Sequence, residues 1–236
     1  MAQHKPLRLL FTLLLLACTL PIHAQITPGA YMATTQNVTH ELKITDTYFI
    51  YTVYESQPAN FIKTMGGFYT LENGVLHSDL EFNSNVDHDG SKKVDIPFEI
   101  ENTLLVLQLD QDINFERQPN ENQALDGLWL FATRGPDEGQ ERRGEENPRK
   151  TLKFLMDGRF QWVAYHTETF AFSGTGGGSY TAANGVYTEQ IDYFSRDNDR
   201  VGATLTFAYD LQGGDWHHTG KNSRGEPLYE IWSKRN

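Results

Sequence analysis

The segment TMGGFYTLENGV that begins at Thr64 returns at Thr175 as TGGGSYTAANGV, keeping the leading Thr, two central glycines, Tyr-Thr and Asn-Gly-Val. A chain that repeats itself at such a distance builds one supersecondary unit twice. The flanking segments follow the same order. LKITDTYFIYTVY from Leu42 is answered by LKFLMDGRFQWVAY from Leu152, Gly29-Ala30-Tyr31 by Gly127-Leu128-Trp129, and Asn114-Phe115-Glu116-Arg117 by Glu230-Ile231-Trp232-Ser233.

Asn73-Gly74 and Asn184-Gly185 each separate two alternating apolar runs, as in a type I′ hairpin turn with positive φ at both centres. Gly66-Gly67 and Gly176-Gly177-Gly178 fall inside strands, where a missing side chain permits a bulge, a bend or the close approach of another strand. The second copy reads as strands near 127–134, 151–157, 159–167, 171–182, 186–195, 201–209, 214–219 and 228–234. Consecutive strands joined by short turns close most simply into one cylinder per copy, which removes exposed edges. The expected fold is all-β: two tandem, small, antiparallel up-and-down barrels of about eight strands each, copy 1 over 26–118 and copy 2 over 125–236. The polar stretch Gln118 to Gln123 reads as the linker. The competing architecture is one larger barrel or sandwich to which each copy gives half.

Residues 1–24 read as an export signal: Lys5 and Arg8 precede an apolar run, Leu9 to Ala17, and a small residue, Ala24, closes the segment. The expected location is secreted or periplasmic. Leu15-Leu16-Ala17-Cys18 also resembles a lipobox, so an outer-membrane lipoprotein tethered through Cys18 is the alternative. Cys18 is the only cysteine, which leaves no disulfide to stabilise the folded part. The formal net charge of -11 repels phosphate backbones and argues against nucleic acid as a partner.

Gly127-Leu128-Trp129, then Leu-x-Phe-x-x-Asp-Gly-x-Phe from Leu152 to Phe160, then Gly-x-Tyr and Asn-Gly from Gly178 to Gly185, resemble the compact lipocalin-like domains of exported Bacteroidetes proteins. The resemblance spans nearly the whole chain beyond the signal. It implies a barrel that binds small, often apolar, ligands. The first copy departs from the pattern at Tyr31, where Trp is expected, and at Asp46-Thr47 in place of Asp-Gly, which implies that its site is lost or changed.

Alternate residues of a strand share a face. Phe160, Trp162, Ala164 and His166 then share one, as do Tyr187, Glu189, Ile191 and Tyr193; Val201, Ala203, Leu205, Phe207 and Tyr209; and Trp216 and His218. These faces read as a barrel interior in which a few polar groups stand in an aromatic wall, as a small-molecule pocket requires. The candidate ligand-binding residues are Trp129, Trp162, His166, Tyr180, Glu189, Trp216 and His218. The alternative is a lumen filled by its own side chains, with Glu189 at a wet rim.

No metal or other cofactor is expected, because His217-His218 point to opposite sides and no HxH or HExxH spacing exists. Catalytic signatures fail in turn: there is no Gly-x-Ser-x-Gly, no phosphate loop and no dinucleotide fingerprint. The expected function is a non-catalytic envelope protein binding a small apolar or saccharide ligand. Its alternatives are a carbohydrate-processing enzyme pairing His166 with Tyr180 or Glu189, and an interaction module without a pocket. Gly135 to Lys150 reads as an exposed loop over the barrel mouth, with Arg142, Arg143 and Arg149 available to an anion, and Asp87-His88-Asp89-Gly90 as a hairpin tip.

Overall fold

Residues 25–222 and 224–235 are described by the computed structural model, and the export signal read at 1–24, with Cys18, lies outside them. The first copy runs through β1 (Gly29–Thr35), β2 (Val38–Ile44), β3 (Tyr48–Ser56), β4 (Ala59–Glu72), β5 (Val75–Asn83), β6 (Lys93–Glu101), β7 (Leu104–Gln108) and β8 (Asp112–Arg117). The second runs through β9 (Gly127–Arg134), β10 (Arg149–Met156), β11 (Arg159–His166), β12 (Phe172–Ala183), β13 (Val186–Phe194), β14 (Thr204–Gln212), β15 (Asp215–Lys221) and β16 (Pro227–Arg235). Within each copy every strand pairs antiparallel with the next, and β1 with β8 and β9 with β16 close two separate barrels. The shared-barrel alternative is thereby excluded.

The turn chemistry is what the sequence demands. Asn73-Gly74 and Asn184-Gly185 both have φ of 52° and 77°, and the ladder resumes at once on either side. The central glycines sit at matched bulges, where the pairing slips between Gly66 and Gly67 in β4 and between Gly177 and Gly178 in β12. A Cβ on Gly178 would fall 1.9 Å from the carbonyl oxygen of Gln190, so the slipped ladder excludes any side chain there. Two expectations change here. The bulge turns β13 over, so that Tyr193 points out of the barrel to stack on Tyr54 of the first copy, and Phe194 takes the inner side against Trp162. Val201 ends a 3-10 turn before β14 begins. The Asp87-His88-Asp89-Gly90 stretch is one turn of α-helix, Val86–Asp89, closed by Gly90 at φ 67°.

The barrels pack against each other through the outer faces of β3–β5 and β11–β13 about an approximate two-fold. Tyr54 lies 4.7 Å from Tyr193, and its counterpart pair, Tyr165 and Phe82, 4.9 Å. On the pseudo-axis the buried Gln161 accepts from Thr52 at 3.0 Å and donates to Thr64 at 3.1 Å and Thr175 at 3.0 Å. Charges close the seam on either side. Arg159 reaches Glu41 and Asp192, each at 2.8 Å, while Glu81 accepts from Arg235, Tyr48 and Tyr165. Tyr48, Ile50, Phe82, Leu128, Leu130, Leu152, Phe154 and Val163 fill the apolar part. β3 is therefore covered on both faces, and its run from Tyr48 to Tyr54 is buried throughout.

The strand register also corrects the repeat alignment. Leu42 pairs with Tyr51, whereas Lys153 pairs with Trp162, the residue equivalent to Tyr51. Leu42 thus corresponds to Lys153, and the Leu-Lys identity at 42 and 152 is out of step by one. The closing strands are offset likewise, with Phe115 equivalent to Trp232. A one-residue shift exchanges the two faces of a strand. Lys43 therefore faces the other barrel, 2.5 Å from Glu41, and Lys153 faces into its own.

Candidate functional site

Both barrels are plugged at one end by the chain that enters them. In the first, Ile26 is buried and the Tyr31 hydroxyl donates to the Thr27 carbonyl at 2.6 Å. In the second, Leu125 is buried and the Trp129 indole N–H donates to the Leu125 carbonyl at 2.8 Å. Gln123 donates to the Tyr180 carbonyl and accepts from Ala182 N–H, and Tyr180 donates to Asp126. Trp129 and Tyr180 accordingly face the lumen as expected, with their polar atoms spent on the plug. The segment read as a linker is, at its end, part of the second barrel's floor.

Above the floor the two interiors diverge. At equivalent inward positions the first barrel carries Leu42, Leu76, Ser78, Leu105, Leu107, Ile113 and Phe115, and the second carries Lys153, Tyr187, Glu189, Trp216, His218, Glu230 and Trp232. Ser78 is satisfied by the Phe68 carbonyl. At these positions one backbone surrounds apolar side chains in one copy, where a His40–Tyr51 pair stands further along the lumen, and a charged, aromatic cluster in the other.

Lys153 is the centre of that cluster. Its ammonium donates to Glu189 Oε1 at 2.9 Å, which also accepts from the Tyr187 hydroxyl at 2.8 Å. The same ammonium lies 5.0 Å from the Tyr187 ring, 4.9 Å from Trp216 and 5.3 Å from Trp232, within reach of three cation–π contacts. His218 packs 4.3 Å from the Phe207 ring and 5.2 Å from Trp216. Its Nδ1 stands 3.5 Å from Glu230, an ion-pair distance aimed too poorly for a hydrogen bond, and neither ring nitrogen makes a hydrogen bond to the protein. Burial, and then the Lys153 ammonium, hold the imidazole below its ordinary pKa, and it is neutral at neutral pH. Burial opposes ionisation of Glu230, but His218, Lys153 and Arg134 outweigh it and keep its carboxyl below the usual range. The indole N–H groups of Trp216 and Trp232 are likewise buried without a partner.

Of the sequence candidates, Glu189, Trp216 and His218 meet in this cluster. Glu189 is buried in mid-lumen, not at a wet rim. Trp162 lines the wall nearer the mouth, 5.5 Å from Phe194. His166 closes β11, half-buried, with its Nδ1 accepting from Thr169 N–H at 3.4 Å. Along the adjacent strands β11 and β12 it lies about 25 Å from Tyr180, so the His166–Tyr180 pair of the enzymatic reading shares no site.

Lys153, Glu230 and Trp232 were missed, and Tyr187, read on the inner face, was not among the candidate ligand-binding residues. In Thr151-Leu152-Lys153-Phe154-Leu155 the wholly apolar face, Leu152 and Phe154, packs the interface, so the alternation reads inside out and sets Lys153 on the apparent solvent side. The available signal was the strict period from Leu155, which places Lys153 on the inner side.

The loop expected over the mouth instead folds back along the outer wall, where Asp215, opening β15, and Ser233 and Arg235, at the floor end of β16, hold it. Arg142 pairs with Asp137 at 2.8 Å and Asp215 at 2.6 Å, and Glu145 meets Arg235 at 2.5 Å. Arg143 lies 5.2 Å over the ring of Phe131, whose edge packs on Trp232 at 5.6 Å. Phe131 and Arg143 also line a rim cleft of about 480 Å³, with Thr133, Arg134, Glu141 and Asn147 around it. Among the described residues no group of three or more His, Cys, Asp or Glu side chains is placed to hold a metal ion. Comparison with family models and with curated proteins returns no match.

Proposed function

We propose that this is an exported, non-catalytic binding protein that takes a small molecule into the lumen of its second barrel, with the first barrel as a packed structural partner. One observation carries the reading. At matched positions of the same backbone, the first lumen is apolar with one satisfied serine, and the second holds Lys153, Glu189, His218, Glu230, Tyr187, Trp216 and Trp232. The fold itself does not need those charges, since the first barrel closes without them. Buried ionisable and unpartnered polar groups lower stability. Their concentration in one lumen therefore points to a binding role rather than to packing. Ligand would enter past Phe131 and Arg143, beside the rim cleft. The export signal at 1–24 would carry the protein across the inner membrane, and acylation at Cys18 would tether it.

The test is thermal unfolding against a small-molecule library. A binder raises the unfolding midpoint saturably with concentration, and the rise should disappear in Lys153→Leu and His218→Leu, which install the first barrel's residues. Ligand consumption in wild type, or a response that survives both substitutions, would refute the assignment.

A further inference from the structure

Resting on the exported, tethered form of that reading, we infer that the segment Leu20 to Ala24 stays in the mature protein and docks as a strap on the outer wall of the first barrel, against Phe68. Three observations converge. The first is the repeat. Gly29-Ala30-Tyr31 answers Gly127-Leu128-Trp129, and the same frame carried upstream sets LPIHAQ from Leu20 against QPNENQ from Gln118, with Pro21 matching Pro119 and Gln25 matching Gln123. Structure holds the same frame, since the Tyr31 hydroxyl and the Trp129 indole N–H each donate to the carbonyl four residues back, of Thr27 and of Leu125. The duplicated unit therefore begins upstream of the floor plug, with the segment that joins the barrels in the second copy.

The second observation is what that segment does on the second barrel. The β11–β12 ladder ends at Arg159 and Ser179, so the Tyr180 carbonyl and Ala182 N–H beyond it face no strand. Gln123 takes both, donating to the carbonyl at 3.2 Å and accepting from the N–H at 2.6 Å. Gln118, Pro119 and Glu121 form one bank of a cleft of about 350 Å³ whose bed includes Ser179, Tyr180, Thr181, Thr188 and Gln190. The first barrel ends its ladder the same way, at Tyr48 and Phe68, and the Tyr69 carbonyl and Leu71 N–H beyond face no strand. The matched positions Phe68, Tyr69, Thr70, His77 and Asp79 line a cleft of about 500 Å³ that has no such bank among the described residues. Gln25, where the described chain begins, is exposed and makes neither of the bonds of Gln123.

The third is polarity. Under the linker the second barrel carries Ser179, and the linker is polar on either side of Pro119. At the position of Ser179 the first barrel carries Phe68, a large apolar side chain left 42 % exposed. The upstream segment changes in the same sense, with Leu20 and Ile22 where the linker has Gln118 and Asn120. An apolar strap over Phe68 takes from water what the described chain leaves in it. Retaining the strap also fixes the end of the export signal. A cut after Ala24 discards the segment, whereas a cut before Cys18, the other boundary that the sequence offers, keeps it.

Two measurements test this. Mass spectrometry of the full chain after export from a Gram-negative host should find a mature N-terminal peptide that begins at Cys18. A peptide that begins at Gln25 has lost the strap and overturns the proposal. A chain kept uncut in the cytoplasm overturns the export reading and with it the mature end assigned here, while docking itself is judged by the second measurement. Chains of 19–236 and 25–236, made without the signal, are compared by thermal unfolding and hydrogen exchange. The longer chain should unfold about 3–6 °C higher, and its Leu71 amide should exchange at least about tenfold more slowly. Phe68→Ser, which installs the second barrel's residue, should erase both differences, as should Ile22→Asn, which alters no described residue. Equal midpoints and equal exchange in the two chains, or differences that survive both substitutions, overturn the docking. No ligand enters either measurement, so their failure is separate from a failure of binding by the second barrel.

Discussion

His218→Leu replaces a buried, unbonded imidazole by the side chain that the first barrel carries at the same position, Leu107. His218 is 2 % exposed, and its two ring nitrogens lack partners. Each unsatisfied buried polar group costs roughly 1–3 kcal/mol, and Leu adds apolar contact with Phe207, Trp216 and Tyr187. Against this, Glu230 loses one of the neighbours that hold it ionised. A net gain of about 2 kcal/mol is expected, which in a chain of this size is a rise of roughly 4–8 °C in midpoint. The pH dependence separates this cause from general repacking. The folded imidazole has a depressed pKa, so below the unfolded value of about 6.5 the unfolded chain binds the extra proton. Stability contributed by neutral His218 is thus complete above that value. It is lost as pH falls toward the depressed pKa, at no more than about 1.4 kcal/mol per pH unit. Urea denaturation of wild type and variant from pH 8 to pH 5 should show the variant's advantage widening with acid. His40, whose pKa is also lowered by burial and by Lys63, titrates in both proteins and cancels in the difference. A variant less stable at pH 8, or a difference that does not change with pH, would refute the account of an unpartnered imidazole.

The interface and the bulge make further predictions. Glu81→Ala leaves Arg235 buried against Tyr48 and Phe68 with only Glu145 to answer it, and should cost about 3 kcal/mol in urea unfolding. Gln161→Leu removes three buried hydrogen bonds on the pseudo-axis, while Thr52 and Thr64 keep each other and Thr64 and Thr175 keep the Tyr51 and Trp162 carbonyls, and a loss of about 1–3 kcal/mol in the same assay is expected. Gly178→Ala forces a methyl to within 1.9 Å of the Gln190 carbonyl oxygen and should lower stability by about 3 kcal/mol or more, whereas Gly213→Ala, with nothing near the added carbon, should cost far less.

Local chemistry, legible in the sequence, determined the two barrels. Asn-Gly pairs allow only tight hairpins between flanking strands, paired glycines permit the bulges that bend β4 and β12, and period-two alternation assigned Phe160, Trp162, Glu189, Trp216 and His218 to the inner side. Tertiary structure decided the rest, because it depends on what lies across a sheet rather than along a strand. Burial of the outer faces against the other copy hid the inward direction of Lys153, and a single extra residue at Asp192 turned Tyr193 from the lumen to the interface. The cluster of Lys153, Glu189, His218 and Glu230 draws on four strands, and only closure of the barrel brings those side chains within reach of one another.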